Sequence, residues 1–230
     1  MATPAGTPAA RRPHPALRRA LRITAVLLVL LVLGGAAFGY WLVARAQPTL
    51  DGTVRVPGLT APVSVVRDAS GIPHITARTA HDLYLAQGYV HAQDRLWEMD
   101  VFRRAGSGRL AELFGAPGVA LDRALRILGL NRIAAASLAA TPPDARAALD
   151  AYAAGVNAFI AGHRDALPLE YLILGATPAP WTAEDSLAFG AYQAFNQNNA
   201  GMVSELLTAD LQAHTTPATL AQLMPLYPAG

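Results

Sequence analysis

The chain has 230 residues, a formal net charge of +2, 53% apolar residues and only 15% charged residues, which makes it more apolar than an ordinary soluble domain. Five of its eighteen basic residues lie within the first 22 positions, so the rest of the chain is slightly acidic and does not indicate a nucleic-acid partner. The absence of cysteine excludes disulfides and thiolate metal sites.

The N-terminal part of the sequence is typical of a membrane-targeted protein. Residues 1–22 predict a disordered, basic cytoplasmic tail. Residues 23–43 carry no charge and, as a helix, would span roughly 30 Å, which predicts a transmembrane helix or signal anchor. The arginines before this run place the rest of the chain on the extracytoplasmic side. Cleavage after Ala46 is the alternative interpretation, and residues 44–58 predict a linker.

A hairpin followed by a long helix is predicted next. Two β-branched runs with a polar turn between them predict two strands within Val63–Ala77. Thr79 and Asp82 have the spacing of a capping box, so a helix should begin there and run to about Arg104. Gly88 interrupts this helix, which indicates that another backbone passes close to it.

Proline and threonine mark the next helix. Thr141 predicts an N-cap for a helix over Pro142–Ala161, because prolines occupy the first turn of that segment. The segment Asp165–Pro180 lacks helical periodicity and is expected to be irregular.

A second capping box opens the last long helical region. Thr182 and Asp185 predict its start, and the pattern continues through Gln212. A break is expected between Asn196 and Gly201, where Asn, Gln and Gly crowd together. Pro217 predicts one further short helix.

Arginines and one carboxylate cluster in the first long helix. These residues are Asp94, Arg95, Arg103, Arg104 and Arg109. Because partly buried Arg–carboxylate pairs form bidentate hydrogen bonds that hold a fixed geometry, we interpret these residues as a structural ion-pair network rather than a catalytic site.

Three histidines in this region suggest a metal or acid–base cluster at first sight. His81 and His91 would share one helix, where a separation of ten residues corresponds to roughly 15 Å along the axis. One metal ion cannot bridge that distance without a bend, and His74 belongs to the predicted second strand. The histidines therefore predict no common site.

Several of these segments together resemble the penicillin acylase family. The resemblance is carried by Val66 to Ile75, by Gly88 to Leu96, by Arg103 to Glu112 and by Asp150 to Ala158, in the family's order and near its spacing. It implies an α+β fold in which residues 59–230 are the mainly α-helical small-subunit portion of an N-terminal-nucleophile hydrolase. The implied partner is a large subunit from the same precursor, with whose sheets the predicted strands would pair.

The reaction that the resemblance implies is hydrolysis of a linear amide by an N-terminal serine on the large subunit, so we expect no catalytic residue in this chain. Acyl side chains of β-lactams, acyl-homoserine lactones and related N-acyl compounds are the implied small-molecule substrates. The alternative hypothesis is a truncated or non-catalytic, membrane-anchored helical binding module.

Three residues match functional positions of the family's small subunit. Phe195 and Asn196 fall where the small subunit lines the acyl pocket, although Gln197 and Asn198 stand where some relatives carry an Arg-aromatic pair. Glu205 matches a carboxylate that binds a structural Ca²⁺ completed by the large subunit. One carboxylate supplies only a fraction of the ~6–8 oxygen ligands of Ca²⁺, so this chain alone should bind the ion poorly.

Overall fold

The computed structural model describes residues 15–47 and 50–224. The chain divides into two compact units, Met1–Gln47 and Pro48–Gly230, with the boundary inside the predicted linker 44–58. The first unit contains one helix, and the second contains a hairpin and eight helices within its described residues.

The first unit is the apolar helix α1, Pro15–Arg45. Its segment Arg19–Arg45 is long and apolar enough to cross a membrane, and none of it is buried; a signal sequence near an N-terminus has the same properties. The helix begins before the predicted span, so residues 15–22 are helical and not part of a disordered tail. Alanine, leucine and arginine favour helix, and the proline stands at the helix start. Residues 1–14 lie outside the described part.

The predicted hairpin is present in the second unit. Strand β1, Ser64–Arg67, pairs antiparallel with β2, Pro73–Thr76, with Val65 opposite Ile75. Gly71 lies in the turn with a positive φ of 77°, which favours glycine. The prediction of two strands around a turn is confirmed.

Helix α2, Ala80–Ser107, is the centre of the second unit. Thr79 caps it as predicted, accepting a hydrogen bond from the backbone N–H of Asp82. The reciprocal half of the predicted capping box is wrong, because the Asp82 carboxylate accepts from the backbone and hydroxyl of Thr60 at 2.8 and 2.7 Å. The backbone leaves helical geometry at Arg95 (φ −144°, ψ 24°), which kinks α2 within the segment that carries the family motif.

Three helices that the sequence analysis did not predict follow α2. They are α3, Ala111–Phe114; α4, Ala116–Leu128; and α5, Leu130–Ala139. The buried carboxylate of Asp122 on α4 accepts hydrogen bonds from the first backbone N–H groups of α3, those of Leu110 and Ala111, both at 2.7 Å. These donors have no partner inside a helix, so α4 stabilises the start of α3.

Helix α6, Pro143–Gly162, packs along α2 at very short range. A Cβ atom added at Gly88 would overlap the Tyr152 carbonyl oxygen, which confirms that another backbone passes there. The predicted N-cap is wrong by one residue: Pro142 occupies that position without a side-chain bond. The Thr141 hydroxyl donates instead to the Ser137 carbonyl, at the end of α5. That carbonyl also accepts from the backbone N–H of Ala140 at 3.2 Å, so Thr141 adds a second bond at the end of α5.

The segment predicted to be irregular contains a short helix, α7, Leu169–Leu174. Pro168 precedes it and Gly175 ends it with a φ of 61°. Proline before a helix and a left-handed glycine after it are both common boundary residues, so the local sequence contained this information.

The last helices are α8, Ala183–His214, and α9, Pro217–Leu223. Both predicted starts are confirmed, and the Thr182–Asp185 capping box is complete. The break predicted between Asn196 and Gly201 is wrong because α8 is continuous there. Asparagine and glycine are weak helix formers but, unlike proline, they keep the backbone donor, so a long helix tolerates them.

The apolar core of the second unit consists of two clusters. One joins α2 and α6 to Tyr171 and Trp181, and the other joins α2 to α4 and α5 through Leu110, Leu125 and Leu130. The unit is thus mostly helical with one small hairpin, in agreement with the mainly α-helical part of the expected α+β fold.

Candidate functional site

A large cleft opens along one face of α2, between α6 and the start of α8. Its volume is about 940 Å³, and most of its lining is apolar. The α2 residues Tyr84, Gln87, His91 and Glu98 line it at helical spacing, and so does the kink residue Arg95. Its size lies at the upper end of the ~300–1,000 Å³ that is usual for ligand pockets.

A hydrogen-bonded pair of rings lies in this cleft. His91 Nδ1 and the Tyr152 hydroxyl are 3.0 Å apart, and the two rings meet edge to face. Burial lowers the pKa of His91, which the nearby Asp94 only partly offsets, and burial raises the pKa of Tyr152 to about 12. Both side chains are therefore neutral near pH 7, and the phenol can donate to the unprotonated Nδ1.

Charge at the cleft is balanced. Arg95 and Glu98 approach to 3.6 Å and are 73% and 51% exposed. Such an exposed pair contributes little to stability, on the order of 0–1 kcal/mol. With neutral His91 and Tyr152, the cleft has no net charge among its titratable lining groups, which favours an uncharged, apolar occupant.

Trp181 forms one wall of the cleft and is held tightly by polar contacts. Asn157 donates to its carbonyl at 2.9 Å and accepts from its backbone N–H at 2.7 Å. Its indole N–H donates to Ser186, and the Arg103 guanidinium lies 4.9 Å from the ring centroid. The wall is therefore preorganised.

The arginines and the carboxylate that were predicted to form one network belong instead to several separate groups of ion pairs. Asp94, expected at its centre, forms a bidentate pair with Arg67 of β1 at 2.7 and 2.9 Å and so fastens the hairpin to α2. Arg95 pairs only with Glu98 among the ion pairs of the described residues. The ion pairs of Asp94 and Arg95 thus involve none of Arg103, Arg104 and Arg109.

The buried carboxylate at the true centre is Asp100, which the sequence analysis missed. Arg103 donates to it at 2.7 Å and Arg104 at 3.2 Å, and the Asp100 side chain is fully buried. The spacing of i+3 and i+4 on one helix is the signal that could have identified it. The side chains of Asp100, Arg103 and Arg104 are thus joined by hydrogen bonds in a buried framework.

The arginines of this framework connect different elements. Arg103 also donates to the carbonyl oxygens of Ala179 and Pro180, at 2.8 and 3.1 Å, and to Asp185. Arg104 and Arg109 both bond Glu112, and the Arg109 hydrogen bond lowers the pKa of that carboxyl. The framework therefore ties the loop before α8 and the start of α3 to the end of α2.

The residues predicted to bind substrate and metal lie elsewhere, further along α8. Phe195 is half-buried against the cluster of Leu110, Leu125 and Leu130, and Asn196 is exposed. Glu205 is exposed on the same helix. Within residues 15–47 and 50–224, no group of three or more His, Cys, Asp or Glu side chains could hold a metal ion.

The three histidines are separate, as predicted. His74 on β2 lies 3.2 Å from Asp68 and is mostly exposed, while His81 lies 3.1 Å from the Gly58 carbonyl oxygen. His91 is the one of these three that lines the cleft.

Comparison with known proteins gives consistent matches. The family model for penicillin amidase matches residues 62–230. The chain is 47% identical over 143 residues to penicillin acylase 2 proenzyme of Pseudomonas sp. (strain SE83), covering 62% of this chain and 18% of that protein. It is 35% identical over 214 residues to acyl-homoserine lactone acylase QuiP of Pseudomonas putida, covering 93% of this chain and 26% of the relative.

A solved structure gives a match to the same family. Thermostable penicillin G acylase from Alcaligenes faecalis matches with a TM-score of 0.60 and 28% identity, over 74% of this chain and 95% of the matched chain. The chain spans about a fifth to a quarter of the length of the two curated relatives above. The family match covers most of the chain, together with the hairpin, α2 and the arginine framework, and the chain therefore belongs to the penicillin amidase family.

Proposed function

We propose that this chain is the front, mainly helical small-subunit portion of an amide hydrolase that removes acyl groups from linear amides. The family match over residues 62–230 carries the proposal, and the likeness to a solved penicillin G acylase chain over nearly its whole length supports it. The described residues offer a scaffold and surfaces for binding, while the reacting groups belong to a large subunit from the same precursor.

The chemistry follows from that division. The hydroxyl of an N-terminal serine on the large subunit attacks the amide carbonyl, and its own α-amine takes the proton and passes it to the leaving amine. Water then hydrolyses the acyl ester and releases the carboxylic acid. Backbone and asparagine donors hold the oxyanion in both steps. This chain contributes to binding and to the position of the large subunit.

The test is the processing and activity of the protein expressed from its complete gene. We expect two polypeptides, the second beginning with serine, and release of free amine from at least one of a phenylacetyl amide, a long-chain acyl-homoserine lactone and a glutaryl amide. A single unprocessed chain that hydrolyses none of the three would refute the proposal and favour the non-catalytic binding module.

We further propose that Phe195 and Asn196 face the acyl group of the substrate. Phe195 keeps part of its ring outside the core, and Asn196 beside it is exposed, so both are available to a ligand or subunit. Replacing Phe195→Ala should shift the preference in a series of acyl-chain lengths. Phe114→Ala, a matched control at a 43% exposed ring on α3, should leave the preference unchanged. An unchanged preference in the Phe195 variant would remove this residue from the pocket.

Calcium binding is a proposal that the described residues support only in part. Glu205 offers one carboxylate, and oxygen ligands suit a hard cation, but the remaining ligands must come from the large subunit. Isothermal titration of the two-subunit protein with Ca²⁺ should show weaker binding for Glu205→Ala. The control Glu184→Ala removes another exposed carboxylate of α8. Equal affinities for all three proteins would reject this role.

The location proposed for the domain is the extracytoplasmic side of a membrane. The support is the length and apolar character of Arg19–Arg45 together with the basic residues before it. The mass of the small subunit isolated from cells distinguishes an uncleaved anchor from cleavage after Ala46. A mature chain recovered from the cytoplasm would contradict the proposal.

A further inference from the structure

The chain segment that follows α1 and precedes β1 contains the one Asp–Gly pair of the sequence, Asp51–Gly52. Neither residue lines the cleft or takes part in the arginine framework. Both residues lie in a bend outside helix and strand, and both are exposed. Gly52 has a φ of 103°, a conformation that residues with a Cβ atom rarely adopt.

We propose that Asp51 is a modification site at which the main chain rearranges spontaneously from the α-carboxyl to the β-carboxyl group and becomes an isoaspartyl linkage. The inference does not depend on the proposed activity, because it concerns the chemistry of the main chain at one exposed bend. Water is the only reagent, and no enzyme or cofactor is required.

The rearrangement takes two balanced steps. The Gly52 backbone nitrogen attacks Cγ of the protonated Asp51 carboxyl group. A bond forms between this nitrogen and Cγ, the Cγ–OH bond breaks, and the hydroxyl leaves with the N–H proton as one molecule of water. Water then adds to the α-carbonyl of the resulting succinimide ring, and the original peptide C–N bond breaks. The chain now continues through Cγ, the α-carboxylate is free, and neither the mass nor the oxidation state has changed.

The surroundings of the pair leave both reacting groups available. Among the hydrogen bonds and ion pairs of residues 15–47 and 50–224, none holds the Asp51 carboxylate and none uses the Gly52 N–H. No described atom lies within 4 Å of a Cβ atom added at Gly52, so the space beside the nitrogen is open. Because glycine also has the widest choice of backbone angles, its nitrogen can turn toward the carboxyl group.

Asp68 lies in the hairpin turn and shows how such a carboxyl group is protected. It accepts hydrogen bonds from the backbone N–H groups of Ser70 and Ile72 at 2.9 and 3.0 Å. The Ile72 bond and the nearby His74 lower the pKa of Asp68, so this carboxyl group stays ionised. A hydrogen-bonded carboxylate is a poor target for a nucleophile, and we expect Asp68 to resist the rearrangement.

Asp165 is protected at the other reacting group. It is exposed in the turn after α6, but the backbone N–H of Ala166 donates to the His163 carbonyl at 2.9 Å. This nitrogen must give up its hydrogen bond before it can attack. Asp51, Asp68 and Asp165 are the described aspartates outside the helices, and of these Asp51 has both a carboxylate and a following N–H without such a bond.

The rearrangement would change the packing of this segment. Leu50 and Val54, on either side of the pair, line a hollow of about 200 Å³ beside β1 and α2. An isoaspartyl linkage adds one methylene group to the main chain between them and moves the negative charge to the α-carbon. Leu50 and Val54 therefore cannot both keep their places in the hollow.

The test is an ageing experiment on the protein expressed from its complete gene, kept in detergent at neutral pH, sampled over several weeks and digested with trypsin. The tryptic peptide 46–55 contains Asp51, and cleavage after Ala46 leaves Asp51 in the same peptide. Its two isomers have equal mass, separate by liquid chromatography, and are distinguished by a protein isoaspartyl methyltransferase, which labels the isoaspartyl form. We expect that form to accumulate, with a fraction of the peptide lighter by one water molecule. Absence of the isoaspartyl form would overturn the proposal.

Two variants test whether the local structure selects this site. Gly52→Ala should slow the rearrangement at least about tenfold, because the added methyl group crowds the nitrogen and restricts its backbone angles. Ala69→Gly is the matched control, since it places a glycine after the protected Asp68. In the folded protein we expect that pair to react at least about tenfold more slowly than Asp51–Gly52, because hydrogen bonds to a charged group must first break.

In denaturant both Asp–Gly pairs of the Ala69→Gly variant should react at similar rates, since the protecting bonds are gone. Equal rates in the folded protein would overturn the argument that the structure selects Asp51. An unchanged rate in the Gly52→Ala variant would overturn the role of the glycine nitrogen.

Discussion

The close contact between α2 and α6 depends on Gly88 of α2 and Gly155 of α6. The substitution Gly155→Ala is the sharpest test of this contact. A Cβ atom at position 155 would overlap the Leu85 carbonyl oxygen and lie 2.8 Å from the Leu85 carbonyl carbon and from the Tyr89 backbone nitrogen. Backbone atoms cannot turn aside as a side chain can, so the helices must separate.

The magnitude follows from two opposing effects. Overpacking a dense core costs about 1–3 kcal/mol or more, and here the obstacle is backbone. Alanine gains about 1 kcal/mol over glycine in a helix interior. We expect a net loss of about 2 kcal/mol in the free energy of unfolding. For an m-value of about 2 kcal/mol per molar, the urea midpoint falls by about 1 M.

The assay is pulse proteolysis in urea on the protein held in detergent, which detects unfolded chains without requiring reversible heating. Gly162→Ala is the control, because Gly162 ends the same helix, is exposed, and has no described atom within 4 Å of an added Cβ. It should leave the midpoint unchanged or raise it slightly. A Gly155→Ala midpoint equal to that of the unsubstituted protein would refute the close-packing argument.

Two other substitutions test Asp100 in the buried framework and His91 in the cleft. Asp100→Ala leaves the guanidiniums of Arg103 and Arg104 buried without their shared carboxylate, and such a loss costs about 3–5 kcal/mol; a urea midpoint within error of the unsubstituted protein would contradict a stabilising framework. His91→Gln tests pH dependence. Burial lowers the pKa of His91, so its contribution is complete above its ordinary pKa of about 6.5 and is lost as the pH falls through the lowered value. Stability should therefore fall less in the variant than in the unsubstituted protein on going from neutral to mildly acidic pH, and parallel profiles would exclude this role.

The arginine framework shows where reasoning from sequence reached its limit. The motif residues were interpreted as a structural ion-pair network, and Arg103 and Arg104 are buried beside Asp100. The ion-pair partners of these residues could not be predicted from the sequence. Asp94 pairs with Arg67, 27 positions earlier, and the backbone leaves helical geometry at Arg95, which the sequence did not indicate.

Helix boundaries show the same division between local and distant causes. Thr182 and Asp185 bond each other within one turn, so their spacing alone predicts the complete capping box. Thr79 and Asp82 have the same spacing, yet the Asp82 carboxylate bonds Thr60 instead. A partner 22 positions away competes successfully because the folded chain brings it within 2.8 Å.

The sequence by itself determined the elements whose causes are local: the apolar helix, the hairpin, the starts of α2, α8 and α9, and the close approach at Gly88. These depend on side-chain periodicity, capping and backbone freedom within a few residues. Only the tertiary structure decided that Asp100 is the shared carboxylate and that α2, α6 and α8 leave a neutral, apolar cleft beside His91 and Tyr152. Those features arise from packing between distant segments, and the spacing along one helix does not specify which surfaces remain uncovered.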